Sequence, residues 1–170
     1  AEEERFLRIK HWAGFPSEAI RWYLSDAGIN LDDLEHVAIN QDTKANLGKK
    51  IIFTLNKRPS LKMLLDRFQN KRKRVGVKDH LLKTFPNSEF RGLVHAVEHH
   101  TAHLSSAFHI SPFDKAVVVS VDGFGDFAST AWGIGRGTKI DLESRVYFPH
   151  SLGIFYQSLT QFIGFHNDGD

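Results

Sequence analysis

Val97-Glu98-His99-His100-Thr101-Ala102-His103 and, shortly after it, Val117-Val118-Val119-Ser120-Val121-Asp122-Gly123-Phe124-Gly125-Asp126 are the stretches on which the reading of this chain turns. The second is a β-branched run broken only by Ser120, the pattern of a buried strand. Asp122-Gly123 ends the run, and Gly125 keeps the next turn open. Ser129 to Gly135 reads as a second strand and Lys139 to Phe148 as a third, with Gly137-Thr138 turning between them. Upstream, Gly92 to Val97 reads as a strand that runs straight into a histidine-bearing helix. Strands that alternate with helices and end in a late hairpin predict an α/β fold, a mixed sheet with helices packed on it.

His99 and His103 are related by i, i+4, so on a helix they share a face and can share a ligand. A zinc peptidase needs Glu directly after the first of such a pair, and His100 stands there instead. His100 points about 100° away from His99 around the helix. It is a candidate to contact substrate or phosphate, or to shuttle a proton. Two histidines and the Asp122 carboxylate make a set that suits Fe(II), and similar sets suit Zn(II); spacing does not choose between them. The bland alternative is a helix whose histidines are merely packed or solvated, and a chain with 10 histidines offers chance pairs.

A strand, an Asp-Gly-x-Gly turn and a second strand also resemble the phosphate-binding hairpin of the actin and sugar-kinase ATPase superfamily. In that reading Gly123 and Gly125, lacking Cβ atoms, let a cofactor approach the backbone. An ordinary hairpin with a glycine-rich turn has the same sequence.

Further out, Ser17 to Ala27 predicts a helix capped by Ser17 and ended by Gly28, with Ala19, Ile20, Tyr23, Leu24 and Ala27 on one face. His36 to Asn40 predicts a short strand, and Thr43 to Arg58 a loop or irregular insertion. Leu61 to Phe85 reads as mostly helical with a break near Val75-Gly76. Ser151 stands at an N-cap position ahead of a helix reaching Leu159 to Phe162. Arg5, Arg8, Lys10 and His11 form a basic cluster that can meet an anionic substrate; on an extended segment Phe6 would face away from Arg5 and Leu7. A solvated face explains the same charges.

The 170 residues suffice for one globular domain. With 22 Lys and Arg against 20 Asp and Glu, no overall charge argues for nucleic acid or an anionic membrane. The run Lys71-Arg72-Lys73-Arg74 is better read as a solvated helix end than as a nucleic-acid patch. Without cysteine there is neither a disulfide framework nor a thiolate metal site. No apolar stretch is long enough to span a bilayer, and a cytoplasmic location is expected.

In order along the chain, Ala1-Glu2-Glu3-Glu4-Arg5-Phe6-Leu7-Arg8-Ile9-Lys10-His11, Gly14-Phe15-Pro16, Glu98-His99-His100-Thr101-Ala102-His103, Asp122-Gly123-Phe124-Gly125-Asp126 and Phe148-Pro149-His150-Ser151-Leu152-Gly153-Ile154-Phe155-Tyr156 resemble the O-carbamoyltransferase family, which includes the nodulation-factor, cephamycin and tobramycin types. The resemblance implies part of a ribonuclease-H-like, actin-type ATPase domain, incomplete at both ends, that belongs to the N-terminal carbamoyl-transfer domain of a several-fold longer enzyme. The family's C-terminal domain, which makes carbamoyl-adenylate from carbamoyl phosphate and ATP with magnesium, is absent from the 170 residues. The carbamoyl group then passes to a hydroxyl of a sugar or antibiotic-like small molecule, and His100 is the candidate base for that hydroxyl. By the same resemblance His99, His103 and Asp122 match the family's metal ligands, with iron the first choice and zinc or manganese the alternatives. As a fragment the chain is expected to be inactive alone. Two other readings are a non-catalytic nucleotide-binding module of the same fold and a metal-dependent hydrolase.

Overall fold

A computed structural model describes residues 2–10, 12, 14–57 and 76–165 of the chain. It is a mixed α/β structure, as expected, but it forms two compact units rather than one: Ala1–Ala38 with Ser60–His95, and Ile39–Pro59 with Ala96–Asp170. His11, the basic run at 71–74 and most of the helical stretch expected from Leu61 onward lie outside the described residues.

In the first unit α1 spans Glu3–Leu7, α2 Ser17–Ala27 and a 3-10 turn Leu31–Asp33. Strand β1 covers His36–Ile39 and pairs with β2, Leu93–Ala96; the helix Val77–Thr84 lies between them in sequence. Leu24, Leu31, Leu81 and Phe90 are the buried centre, with Phe15, Ile20, Leu34, Val37, Val77, Leu82 and Phe85 packed against it. Helix α2 ends as its sequence requires. Gly28 takes φ +66°, and the N–H of Ile29 returns to the carbonyl of Leu24, closing off carbonyls that have no partner within the helix.

The start of α2 departs from expectation. Ser17 is its first residue and not its cap; the Ser17 hydroxyl instead shares a hydrogen bond with the Thr84 hydroxyl. The N–H groups of Glu18 and Ala19, which have no partner within the helix, donate to the two carboxylate oxygens of Glu3, at 3.0 and 2.8 Å. A negative charge there also complements the positive end of the helix dipole. This is why Glu3 is buried. It also corrects the extended reading of the basic cluster: residues 3–7 coil into α1, and Arg8 closes it in the left-handed region at φ +58°. Arg5, Arg8 and Lys10 are exposed.

The second unit is built on a three-stranded antiparallel sheet in the order β3 (Lys115–Gly125), β4 (Ala128–Arg136), β5 (Lys139–Tyr147). The strands and the turn at Gly137, φ +56°, fall where the sequence put them. Numbering helices in chain order, α3 is Leu47–Lys57, α4 is the first unit's Val77–Thr84, α5 is His99–Phe108 and α6 is Leu152–Phe162. Helix α5 lies on one sheet face. Its His100, Leu104 and Phe108, four residues apart, form a fully buried stripe against Val118, Ser120 and Ala131. Phe108 sits where a Cβ on Gly135 would be, 2.6 Å from its ring carbons, so only glycine at that position lets the helix come so close.

Two expectations fail here. The valine run is not buried on both faces: Val118 is buried, whereas Val117 is 72% exposed and Val119 and Val121 are exposed with it. Strand side chains alternate, and among the described residues α5 covers only one face. The stretch from Thr43 is not irregular either; it contains α3, whose Phe53 packs edge-on against Phe127 and Phe148. That contact is made with residues far along the chain, which explains why local pattern missed it.

Replacing Glu3 by Ala removes both acceptors at the start of α2 and is expected to cost about 1–2 kcal/mol of stability. Urea unfolding followed by circular dichroism measures it, and Glu3→Gln, which keeps one carbonyl acceptor, should recover part of the loss.

Candidate metal centre

Helix α5 begins at His99, and two carboxylates hold its first turn. The side chain of Glu98 accepts the N–H of Thr101 at 2.9 Å and its hydroxyl at 2.7 Å. Asp126 Oδ2 accepts the N–H of His99 at 3.0 Å and the N–H of Asp42 at 2.8 Å. Arg145 on β5 donates to Glu98 at 3.2 Å from a largely buried position. Burial alone would raise the Glu98 pKa. The hydrogen bonds from Thr101 and Arg145 and the Arg145 charge outweigh it and hold the carboxyl below its ordinary range.

This fixed first turn sets His99 and His103 on one edge of α5, beside Asp122 of β3. One ligand atom of each of the three lies within 4.8 Å of the others, the one such trio of His, Asp or Glu among the described residues. His99 Nε2 is 2.8 Å from Asp122 Oδ2 and 3.0 Å from His103 Nε2; His103 Nε2 is 3.6 Å from Asp122 Oδ2. The other nitrogen of His99, Nδ1, lies 3.2 Å from the carbonyl oxygen of Asn40. A carbonyl only accepts, so Nδ1 carries a hydrogen, and Nε2 is the ring nitrogen that faces Asp122 and His103. A carboxylate oxygen and two imidazole nitrogens then crowd one point. The donor types of this set suit a divalent transition metal.

Asp122 is braced on the other side. Its Oδ1 accepts the N–H of Gly123 at 2.6 Å, and the Ser151 hydroxyl donates to the Gly123 carbonyl at 2.7 Å while accepting the N–H of Ile154. Ser151 thus caps α6, as the sequence indicated, and also clasps the Asp122 turn. A Cβ on Gly153 would fall 2.5 Å from the Asp122 carbonyl, so the first turn of α6 rests directly on that peptide. Burial raises the Asp122 pKa, but the His99 hydrogen bond, the Gly123 N–H and the His99 and His103 charges bring it below the ordinary value.

The other expected site residues fall elsewhere. His100 is 0% exposed, with Nδ1 2.8 Å from the Ser120 hydroxyl. It belongs to the helix's core stripe and offers no solvent-facing nitrogen, which does not fit a base for an arriving hydroxyl. Gly125 does not leave room for a cofactor: a Cβ there would meet the His99 ring at 2.0 Å, so the imidazole itself occupies that space. Gly123 faces Ile154 at ordinary contact distance. Arg5, Arg8 and Lys10 belong to the first unit. Sequence reasoning missed Asp126, Asn40, Ser120 and the Glu98–Arg145 pair. Only the i, i+4, i+8 spacing of His100, Leu104 and Phe108 gave a usable signal, since it marks His100 as core.

The model of the carbamoyltransferase N-terminus matches residues 1–170, and the chain belongs to that family. It is 31% identical to the protein sll1178 of Synechocystis sp. over 99% of its own length, covering 29% of that protein. It is 29% identical to the nodulation protein NolNO of Sinorhizobium fredii over 96% of the chain and 23% of the relative. Nodulation protein NolO of Bradyrhizobium diazoefficiens is 40% identical over a shorter stretch, 40% of this chain. The chain therefore spans less than a third of the length of these relatives. Among the described residues no helix is long and apolar enough to cross a membrane.

Gly125→Ala is expected to push the His99 ring away and cost about 1–3 kcal/mol; thermal unfolding and histidine-ring NMR shifts report the two effects separately. For Glu98 the lowered folded pKa means its stabilisation is complete above the ordinary carboxylate range and fades as pH falls through the folded value. Glu98→Gln should lose about 1–3 kcal/mol at neutral pH and flatten the acid limb of the stability curve, measured by urea midpoints across pH.

Proposed function

We propose that this chain supplies the metal-binding part of an enzyme that transfers a carbamoyl group to a hydroxyl of a small-molecule acceptor. The observation that carries this is the convergence of His99, His103 and Asp122 in a chain of the carbamoyltransferase N-terminal family. In this reading the three residues hold one divalent ion, with iron first by resemblance and zinc or manganese as alternatives. The metal's contribution is to polarise the carbamoyl carbonyl or hold a phosphate oxygen. The protein's part is to keep the donors in place: the Asn40 carbonyl fixes the His99 tautomer, Asp126 holds the His99 backbone, and Ser151 holds the Asp122 turn. His103 and Asp122 keep solvent-facing surface, so an ion held by these residues would be within reach of substrate.

The donor is proposed to be carbamoyl-adenylate, formed from carbamoyl phosphate and ATP by another part of a longer protein. The acceptor is proposed to be a hydroxylated sugar or antibiotic-like compound, with the reaction in the cytoplasm. The β3–β4–β5 sheet and α5 are proposed as part of a ribonuclease-H-like domain; three antiparallel strands with a helix on one face support that reading.

Elemental analysis of the purified chain tests the centre. Roughly one iron or zinc per chain is expected, falling to background in His99→Ala/His103→Ala and by tenfold or more in affinity in Asp122→Asn. In the full-length protein the same Asp122→Asn should abolish carbamoyl transfer to the acceptor. Metal retained by the double variant would remove these residues from the mechanism.

A further inference from the structure

A separate pair of imidazoles lies in the first unit, on neighbouring strands. His36 is the first residue of β1 and His95 the third of β2. Their rings incline at 50° with centroids 5.0 Å apart, and His36 Nδ1 lies 2.9 Å from His95 Nε2. Both side chains are exposed, and neither belongs to the unit's buried core.

As a hydrogen bond between two exposed side chains the contact contributes little to stability. As a chelate its geometry is specific. Metal–imidazole bonds are about 2.05 Å long, so two nitrogens at a right angle around a metal stand about 2.9 Å apart, against about 3.3 Å at a tetrahedral angle. The observed separation is that of neighbouring positions in a square or tetragonal shell, the geometry of Cu(II) and Ni(II). The strand pair keeps the two rings side by side, and a turn of each imidazole from facing its neighbour to facing a shared ion completes the chelate.

We propose that His36 and His95 form a surface site for a tetragonal divalent transition ion, Cu(II) before Ni(II) and Zn(II), with water in the remaining positions. Binding requires a lone pair on both facing nitrogens. The hydrogen shared between them moves to the outer nitrogen of its own ring, so two neutral imidazoles lose no proton to solvent and form two metal–nitrogen bonds. The site does not depend on His99, His103 or Asp122.

Titration of the purified chain with Cu(II), read by calorimetry and by electron paramagnetic resonance, tests it. The unaltered chain should take up one more equivalent than His36→Gln/His95→Gln and show a tetragonal signal with two equatorial nitrogens that the double variant lacks. Each single variant should weaken that equivalent by roughly tenfold or more, because one imidazole no longer chelates. His109→Gln, an exposed histidine of the second unit, should leave it unchanged, and circular dichroism should show all variants folded. Equal stoichiometry and affinity in the unaltered chain and the double variant would overturn the proposal, as would loss of the signal in His109→Gln.

Discussion

The carboxylate of Asp126 accepts the N–H groups of His99 and Asp42, and its backbone carbonyl accepts the side-chain amide of Asn46. One residue thereby ties the start of α5, the tip of the β3–β4 hairpin and the segment leading into α3. It does so from φ +49°, followed by Phe127 at +76°. Two successive positive φ values are the pattern of a tight hairpin turn usually made by Asn-Gly or Asp-Gly. A phenylalanine there is disfavoured on its own. Its ring lies with Phe53 and Phe148 in an aromatic cluster, and tertiary packing of this kind offsets the local cost. The position of His99, and with it the candidate metal centre, rests on this turn.

Small residues supply the complementary constraint. Helix α5 meets the sheet through Phe108 on Gly135 and His99 on Gly125, and α6 meets the Asp122 peptide through Gly153. At each of these places a Cβ would overlap an atom already present. Gly125 of the Asp122-Gly-Phe-Gly motif therefore serves the placement of His99. The same close approach encloses polar groups beneath α5. Glu98 Oε1, His100 Nε2 and Arg145 Nε are buried without a hydrogen-bond partner among the described residues. Each such group costs on the order of 1–3 kcal/mol. That cost is set against the capping of α5 by Glu98 and the apolar contacts of Leu104 and Phe108.

Much of the layout was legible in the sequence because it depends on local periodicity. The β3, β4 and β5 strands, the Gly28 stop of α2, the Gly137 turn and the Ser151 cap all follow from residues within a few positions of one another. The i, i+4 relation of His99 and His103 likewise fixes their shared face once the helix forms. Glu3 as the cap of α2 was not legible, because a cap delivered from another helix leaves no short-range spacing. Nor was α3, a helix anchored by Phe53 against Phe127 and Phe148.

The sequence by itself determined which residues are candidate metal ligands, which run forms a strand and which faces of the helices are apolar. Backbone geometry, with a period near 3.6 for helices and 2 for strands, converts such patterns directly into faces. Only the tertiary structure decided that Gly125 is filled by an imidazole and that the valine run shows one face to solvent. The physical reason is that burial belongs to pairs of surfaces. A strand or helix presents its face, but the element packed against it, often many residues away, settles whether that face is covered and how closely it is approached.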